Sequence, residues 1–262
     1  MRKKFFVTLW ILFFLGLSVL GAVFYGIFNG YIGYMPNIEQ LQNPVNKFAS
    51  QVISADGKLL GTWSYSKANR IFVGYEDLPP AIVQALIATE DVRFYDHSGV
   101  DYRALLRAVV KRGLLRQKSA GGGSTITQQL AKQLYSDKAG SVQERLLQKP
   151  IEWVIAIKLE RFYTKEEIIS MYLNYFDFLH NAVGIKTAAR TYFGKEPKDL
   201  SVIECASLVG MCKNPSYFNP VRFPDRCLSR RNVVLGQMVK AGYLSEEEGE
   251  KLALEPLTLN FH

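Results

Sequence analysis

Residues 121–134 read GGGSTITQQLAKQL. Three glycines make a loop that can approach a ligand closely, and Ser124 or Thr125 can cap the helix that follows. On that helix Thr125, Gln129 and Lys132 stand at i, i+4 and i+7 and share one face. A hydroxyl, an amide and an ammonium beside a helix N-terminus suit an anionic, oxygen-rich ligand. A solvated polar face after a flexible loop shows the same pattern. Glu90 follows the apolar run Ala85-Leu86-Ile87-Ala88, so its carboxylate lies beside buried surface, the setting that makes a carboxylate a usable base. Its alternatives are an N-cap and a salt-bridge partner. Asp91 adjoins it and could orient a site or pair with a cation. Arg145, Lys149 and Glu152 fall at i, i+4 and i+7, so one helix face mixes an acid with two cations.

Charge supports an anionic ligand. The formal net charge is +8; without Arg2, Lys3 and Lys4 the remainder holds 29 basic against 24 acidic residues, about +5. The excess is uneven. Residues 102–136 carry Arg103, Arg107, Lys111, Arg112, Arg116, Lys118 and Lys132 and no acid. Such a stretch calls for nucleic-acid phosphates, lipid head groups or a phosphorylated substrate. Residues 5–28 contain no charged side chain and are long enough to span a bilayer. The basic triplet before them leaves the short N-terminus in the cytoplasm and everything after residue 29 exported. Export argues against nucleic acid. A cleaved signal peptide competes, but the run is long for one and no clear A-x-A site follows. Cys205, Cys212 and Cys227 are an odd count without metal-ligand spacing and read as buried thiols.

The elements that must position these groups are mostly helical. Alternation over 45–75 around Asp56-Gly57 signals a β-hairpin. Pro79 and Pro80 suit the start of a helix running to about Phe94. A helix over about 100–116 sets Leu105, Leu106, Val109, Val110 and Leu114 against a stripe of Arg103, Arg107 and Lys111, as interfacial helices do; an ordinary surface helix is the alternative. Helices are predicted at about 125–135, 141–163 and 226–241. Capping boxes Thr164/Glu167, Ser201/Glu204 and Ser245/Glu248 predict starts near 165, 202 and 246. Pro150 interrupts the 141–163 pattern, where a kink is expected.

ATEDVRFYDHSGVD (88–101), the glycine-rich stretch, KPIEWVIAIKLER (149–161) and KEEIISMYLNYFDFLHNAVGIKTAARTYFGK (165–195) follow one another in an order and spacing that resemble the peptidoglycan glycosyltransferases, the polymerase domain of class A penicillin-binding proteins and of monofunctional wall polymerases. The resemblance runs from about residue 53 to about 255. It implies a mostly α, lysozyme-like domain behind one transmembrane helix: a tail at 1–4, an anchor at 5–28, a linker and hairpin at 29–75, the glycosyltransferase domain at 76–255 and a tail at 256–262. It implies polymerisation of lipid II at the outer face of the cytoplasmic membrane, inverting the donor linkage. Glu90 takes the place of the family's catalytic glutamate in ED-x-x-F-x-x-H-x-G, and Glu152 that of its second functional glutamate, on the donor side. Ser124, Thr125 and Gln129 would hold the donor phosphate or sugar, with Asp91 and Lys149 beside them, and Lys132 and Lys195 would clamp the diphosphate. His97 fits the motif as a hydrogen-bonding scaffold residue. No organic cofactor and no metal ligand set is indicated, although a divalent cation (Mg or Mn) could assist the diphosphate.

Two departures stand out. Gln148-Lys149 replaces the usual Arg-Lys, and Arg145 could supply the missing charge. Leu179-His180-Asn181-Ala182-Val183-Gly184 replaces a glycine-rich loop, so its acceptor contacts are in doubt and His180 inherits no role. A muramidase-like hydrolase and a non-catalytic membrane scaffold are the rival functions. No S-x-x-K is followed by further penicillin-binding motifs; SYSK at 64–67 matches by spacing alone. The chain reads equally as a monofunctional polymerase or a piece of a bifunctional one, with a transpeptidase domain or protein as a possible partner. Replacing Arg103, Arg107 and Lys111 by Gln in a chain without its anchor is expected to weaken partitioning onto anionic vesicles at low salt by about 1 kcal/mol per residue. Unchanged vesicle co-sedimentation would reduce the stripe to a solvated face.

Overall fold

The computed structural model describes residues 2–33, 35–37, 39, 41, 50–56, 59–63, 71–108, 110, 123–135 and 142–261. Lys111, the rest of the basic stretch to residue 122, Gly57 of the hairpin turn, SYSK at 64–67 and the side chain of Arg145 lie outside the described residues.

Among the described residues are ten α-helices and one hairpin. The helices are α1 (Arg2–Phe28), α2 (Pro80–Glu90), α3 (Tyr102–Ala108), α4 (Ile126–Tyr135), α5 (Val142–Phe162), α6 (Lys165–Tyr175), α7 (Ile185–Phe193), α8 (Val202–Cys212), α9 (Pro224–Lys240) and α10 (Glu246–Leu254). Strands β1 (Ser50–Ile53) and β2 (Leu59–Trp63) pair antiparallel, with Ser50 opposite Trp63 and Val52 opposite Gly61. All three capping boxes form, and α6, α8 and α10 start where they predicted. α5 runs on through Pro150. α7 gave no start signal because Gly184, at φ 88°, stands at its N-cap with no side-chain cap bond.

α1 is long and apolar enough to cross a membrane, with mean hydropathy 2.4 over its best window. Its last turns pack inward. Ile27 is fully buried, Phe24 stacks on Trp153 with ring centroids 6.4 Å apart, and Lys158 Nζ donates to the Phe28 carbonyl at 3.0 Å.

α2 is the hub. Pro80 opens it at the position where a missing N–H costs nothing. Ile82, Val83, Ala85, Leu86, Ile87 and Ala88 are buried, and the helix packs against α8 and α9. α4 packs against α5 and α6. The sequence predicted α2 to reach Phe94; it stops at Glu90 because Asp91 leaves helical geometry (φ −157°, ψ 72°) and a short 3-10 turn, Phe94–Asp96, follows. Gly99 then passes at φ 89° so close to α5 that a Cβ there would lie 2.8 Å from the Ala156 backbone. No other residue fits.

The loop that departs from the glycine-rich pattern holds three successive non-glycine residues in left-handed geometry: Leu179 (φ 67°), His180 (51°) and Asn181 (62°). Such residues are strained and persist only where surroundings over-determine them. Asp177 Oδ1 accepts from Leu179 N at 2.8 Å, Tyr192 donates its hydroxyl to the Phe178 carbonyl at 2.6 Å, and His180 lies 3.0 Å from Asn219 Nδ2 and edge-on to Phe261.

Asn174, fully buried on α6, fastens the incoming chain. Its Oδ1 accepts from Val73 N at 2.9 Å and its Nδ2 donates to Val73 O at 2.8 Å. Asn174→Ala strands the Val73 N–H, while Ser170 Oγ still donates to the Val73 carbonyl at 2.7 Å, and is expected to cost about 1–3 kcal/mol in urea unfolding at constant m-value. A loss below 1 kcal/mol would mean that the 71–74 segment is held by other contacts.

Candidate active site

A cavity of about 700 Å³ opens where α2, α3, α4 and α9 meet, with Glu90, Arg93, Arg107, Ser124, Gln129, Lys213 and Arg230 in its wall. Glu90 ends α2 at the rim. Gln129, one turn into α4, donates from Nε2 to Glu90 Oε2 at 2.9 Å. Arg230 of α9 sets its guanidinium 3.7 Å from Oε1, with only 11% of the Arg230 side chain and 16% of Glu90 exposed. Burial lowers the Arg230 pKa from its ordinary value, and the Glu90 charge pushes the other way. Arg230 Nε has no partner among the described residues. Behind Gln129, the buried Tyr172 donates its hydroxyl to Gln129 Oε1 at 3.0 Å.

The other acids of the wall are engaged. Asp91, 7% exposed, lies 3.0 and 3.1 Å from His97 Nε2 and accepts from Ile126 N at 3.1 Å. It therefore orients α4 and His97 from within the cavity wall, the orienting role the sequence offered for it. His97 serves as scaffold, its carbonyl accepting from Lys165 Nζ at 2.6 Å. Arg93 pairs with Asp101 through both guanidinium and carboxylate forks, and Asp101 caps α3 by accepting from Ala104 N at 2.9 Å. Glu90 is thus the wall acid that faces Arg230 and the Gln129 amide.

The glycine-rich stretch resolves differently from its expected shared face. Thr125 is the N-cap of α4: its Oγ1 accepts from Gln128 N at 3.1 Å and donates to the Gly99 carbonyl at 2.6 Å, and the residue is 1% exposed. Its hydroxyl is a cap, not a free ligand contact. Lys132 is exposed on α4, has no ion-pair partner among the described residues and does not line the cavity. Ser124 does line it and accepts from Lys149 Nζ at 3.3 Å. The same ammonium lies 2.7 Å from Glu152 Oε2. Glu152 is 1% exposed, lies behind the cavity wall rather than in it, and has no partner for Oε1 among the described residues.

Lys195 lies outside the cavity wall. It pairs with both oxygens of Glu204 at 2.8 and 3.0 Å, and Glu204 is the capping-box acid of α8. The cations that do reach the cavity are Arg107 of α3, Lys213 just past α8, and Arg230. Lys213 and Arg230 were missed from sequence because each stands in an apolar or basic helix context with no spacing that links it to Glu90. All three cysteines are free and buried, and burial pushes the Cys227 thiol up to about 11.

The family model described as Transglycosylase matches residues 56–239. The chain belongs to that family. This transglycosylase chain is 37% identical over 245 residues to penicillin-binding protein 1A of Escherichia coli, covering 93% of this chain and 28% of that protein. It is 36% identical over 261 residues to penicillin-binding protein 1F of Bacillus subtilis, covering all of this chain and 35% of that one. The chain therefore spans about a third of the length of these relatives. A 2.6 Å crystal structure of penicillin-binding protein 1A from Haemophilus influenzae aligns at TM-score 0.45 and 24% identity over 82% of this chain and 22% of that one.

Lys195→Met is expected to lower stability by about 0.5–1 kcal/mol, the scale of a partly exposed pair, and to leave transglycosylase turnover within about twofold. Lys213→Met is expected to do the reverse, cutting turnover by about 100-fold with its unfolding midpoint unchanged. Turnover lost through Lys195 and kept through Lys213 would restore Lys195 as the clamp.

Proposed function

We propose that the chain polymerises lipid-linked disaccharide-pentapeptide (lipid II) into β-1,4 glycan strands and releases undecaprenyl diphosphate with inversion at the donor carbon. The observation that carries the reading is the setting of Glu90: a half-buried carboxylate between an amide donor and a guanidinium, beside a wall with Arg107 and Lys213. Glycosyl transfer from a diphosphate needs a base for the attacking hydroxyl and cations for the leaving group. In this reading Glu90 takes the proton of the acceptor 4-hydroxyl as its oxygen bonds the donor carbon. The bond to the diphosphate breaks on the opposite face. Cations of the cavity wall neutralise the departing charge, and Lys132, exposed on α4 outside that wall, is the further cation the reading calls on. Glu152 and Lys149 belong to the donor side, where a buried carboxylate oxygen with no described partner is ready for a ligand donor.

The same reading sets α1 across the cytoplasmic membrane with the domain outside. Exposed Tyr102, Leu106 and Val110 beside Arg103 and Arg107 then suit the lipid surface. A muramidase-like hydrolase is disfavoured, because cleavage of a preformed polymer needs neither a cationic wall beside the carboxylate nor a membrane anchor.

Glu90→Gln keeps shape and removes the base. Polymerisation of lipid II is expected to fall by at least about 100-fold while the substrate still binds. Wild-type cleavage of preformed glycan without polymerisation would replace the reading by the hydrolase, and near-normal turnover in Glu90→Gln would remove Glu90 as the base.

A further inference from the structure

The amide of Gln129 is held from both ends. Its Nε2 lies 2.9 Å from Glu90 Oε2 and its Oε1 lies 3.0 Å from the Tyr172 hydroxyl. An amide's oxygen and nitrogen have nearly the same shape, so packing cannot choose which one faces the carboxylate; hydrogen-bond partners choose. Tyr172 can make that choice only as a donor. It is fully buried, and burial, together with Cys212 and the Glu90 charge, pushes its phenol well above its ordinary value of 10.0. The proton therefore stays on the oxygen at any working pH. The thiol of Cys212 beside it is also kept protonated by burial, and donates to the Leu208 carbonyl at 3.6 Å. The Gln129 carbonyl at 3.0 Å is the stronger acceptor for the phenolic proton, and the Cys212 sulfur, a weak acceptor, is its other partner.

We propose that Tyr172 is a positioning residue for the transfer reaction: its hydroxyl fixes the Gln129 amide so that the NH2 end faces Glu90 and holds that carboxylate ready to accept a proton. The inference rests on Glu90 being the base. The charged and titratable groups around Glu90 are Arg230 on α9, Lys213 and Cys212 at the end of α8, Tyr172 on α6, Arg107 on α3, and Asp91, Arg93 and Asp101 on the segment after α2. Replacing one hydroxyl leaves the rest of that set in place. Without it the amide can turn its oxygen toward Glu90, and that oxygen can accept a proton only from the protonated carboxyl. The protonated form gains a partner, while the ionised form keeps the NH2 that an acceptor-only carboxylate selects for itself, so the titration of Glu90 moves up. Activity is then lost on the acid side and recovered above it.

The test uses the full chain in detergent micelles. In Tyr172→Phe the acid limb of kcat/KM on lipid II is expected to move up by about half to one pH unit, the scale of one hydrogen bond, with turnover above the limb within about threefold of wild type. A carbon-13 carboxyl titration of Glu90, which needs no turnover, should move by the same amount. Gln129→Met should raise the Glu90 titration too, and adding Tyr172→Phe to it should move it no further. A pH-independent loss in Tyr172→Phe, or two shifts that add, would overturn the proposal. If Tyr172→Phe does not fold, 3-fluorotyrosine at position 172, a stronger donor of the same shape, should lower the Glu90 titration, and no shift would overturn it. If wild type does not polymerise lipid II, the functional reading fails, and the carboxyl titrations still decide this one.

Discussion

The carboxylate of Asp91 meets the His97 ring and the first amide of α4 at 3.0–3.1 Å. Nearly everything at the cavity depends on that meeting. It ends α2 one residue earlier, which puts Glu90 at a helix terminus rather than inside a helix. It also supplies a negative charge to the N-terminus of α4, where the helix dipole favours one. Glu90 and Gln129 come from segments 39 positions apart in the chain, and Asp91 is the short bridge between them. Gly99 completes the bridge. Its carbonyl takes the Thr125 hydroxyl, and its missing side chain lets the connecting turn lie on α5.

Around that junction the two sides of the cavity have different electrostatic characters. The side built by the segment after α2 and by α3 uses its acids internally, Asp101 on Arg93 and on the α3 N-terminus, so it offers mainly Arg107 outward. The side built by α8 and α9 offers Lys213 and Arg230. One carboxylate between two cationic walls is an arrangement that suits an anionic ligand. Glu152 follows another logic. It is buried with a single described ion partner, and breaking such a pair leaves a charge in a poor solvent. Lys149 and Glu152 therefore act as one unit.

Much of this was legible in the sequence. The capping boxes located three helix starts, the apolar run located α1, and Asp56 marked the hairpin, because each is a local rule acting within a few residues. The motifs located Glu90 and Gln129 as members of one site. What was not legible is orientation. Thr125 and Gln129 were read as neighbours on one face, yet the N-cap turns the Thr125 hydroxyl inward to Gln128 N and Gly99. Lys195 was read as a diphosphate clamp, and only the fold brings Glu204 to it. Arg230 carries no sequence signal at all, because its partner is 140 positions away and the contact exists only when α9 crosses α2. Helix termini are written locally; ion-pair partners are written in the topology.

α5 carries Lys149 and Glu152 near one end, and Trp153 and Lys158 against the last turns of α1. A flexible tether would leave the domain to wander beneath its anchor, at a height set by chain statistics. A ring stack and a hydrogen bond replace statistics with a lever arm. Helices that are too long or too short for a bilayer adjust by tilting. A tilt of α1 would pass to α5 as a rigid displacement and carry Glu152 relative to Glu90, which hangs from a different helix. The two contacts thus tie α5, and with it Lys149 and Glu152, to the direction in which α1 leaves the domain.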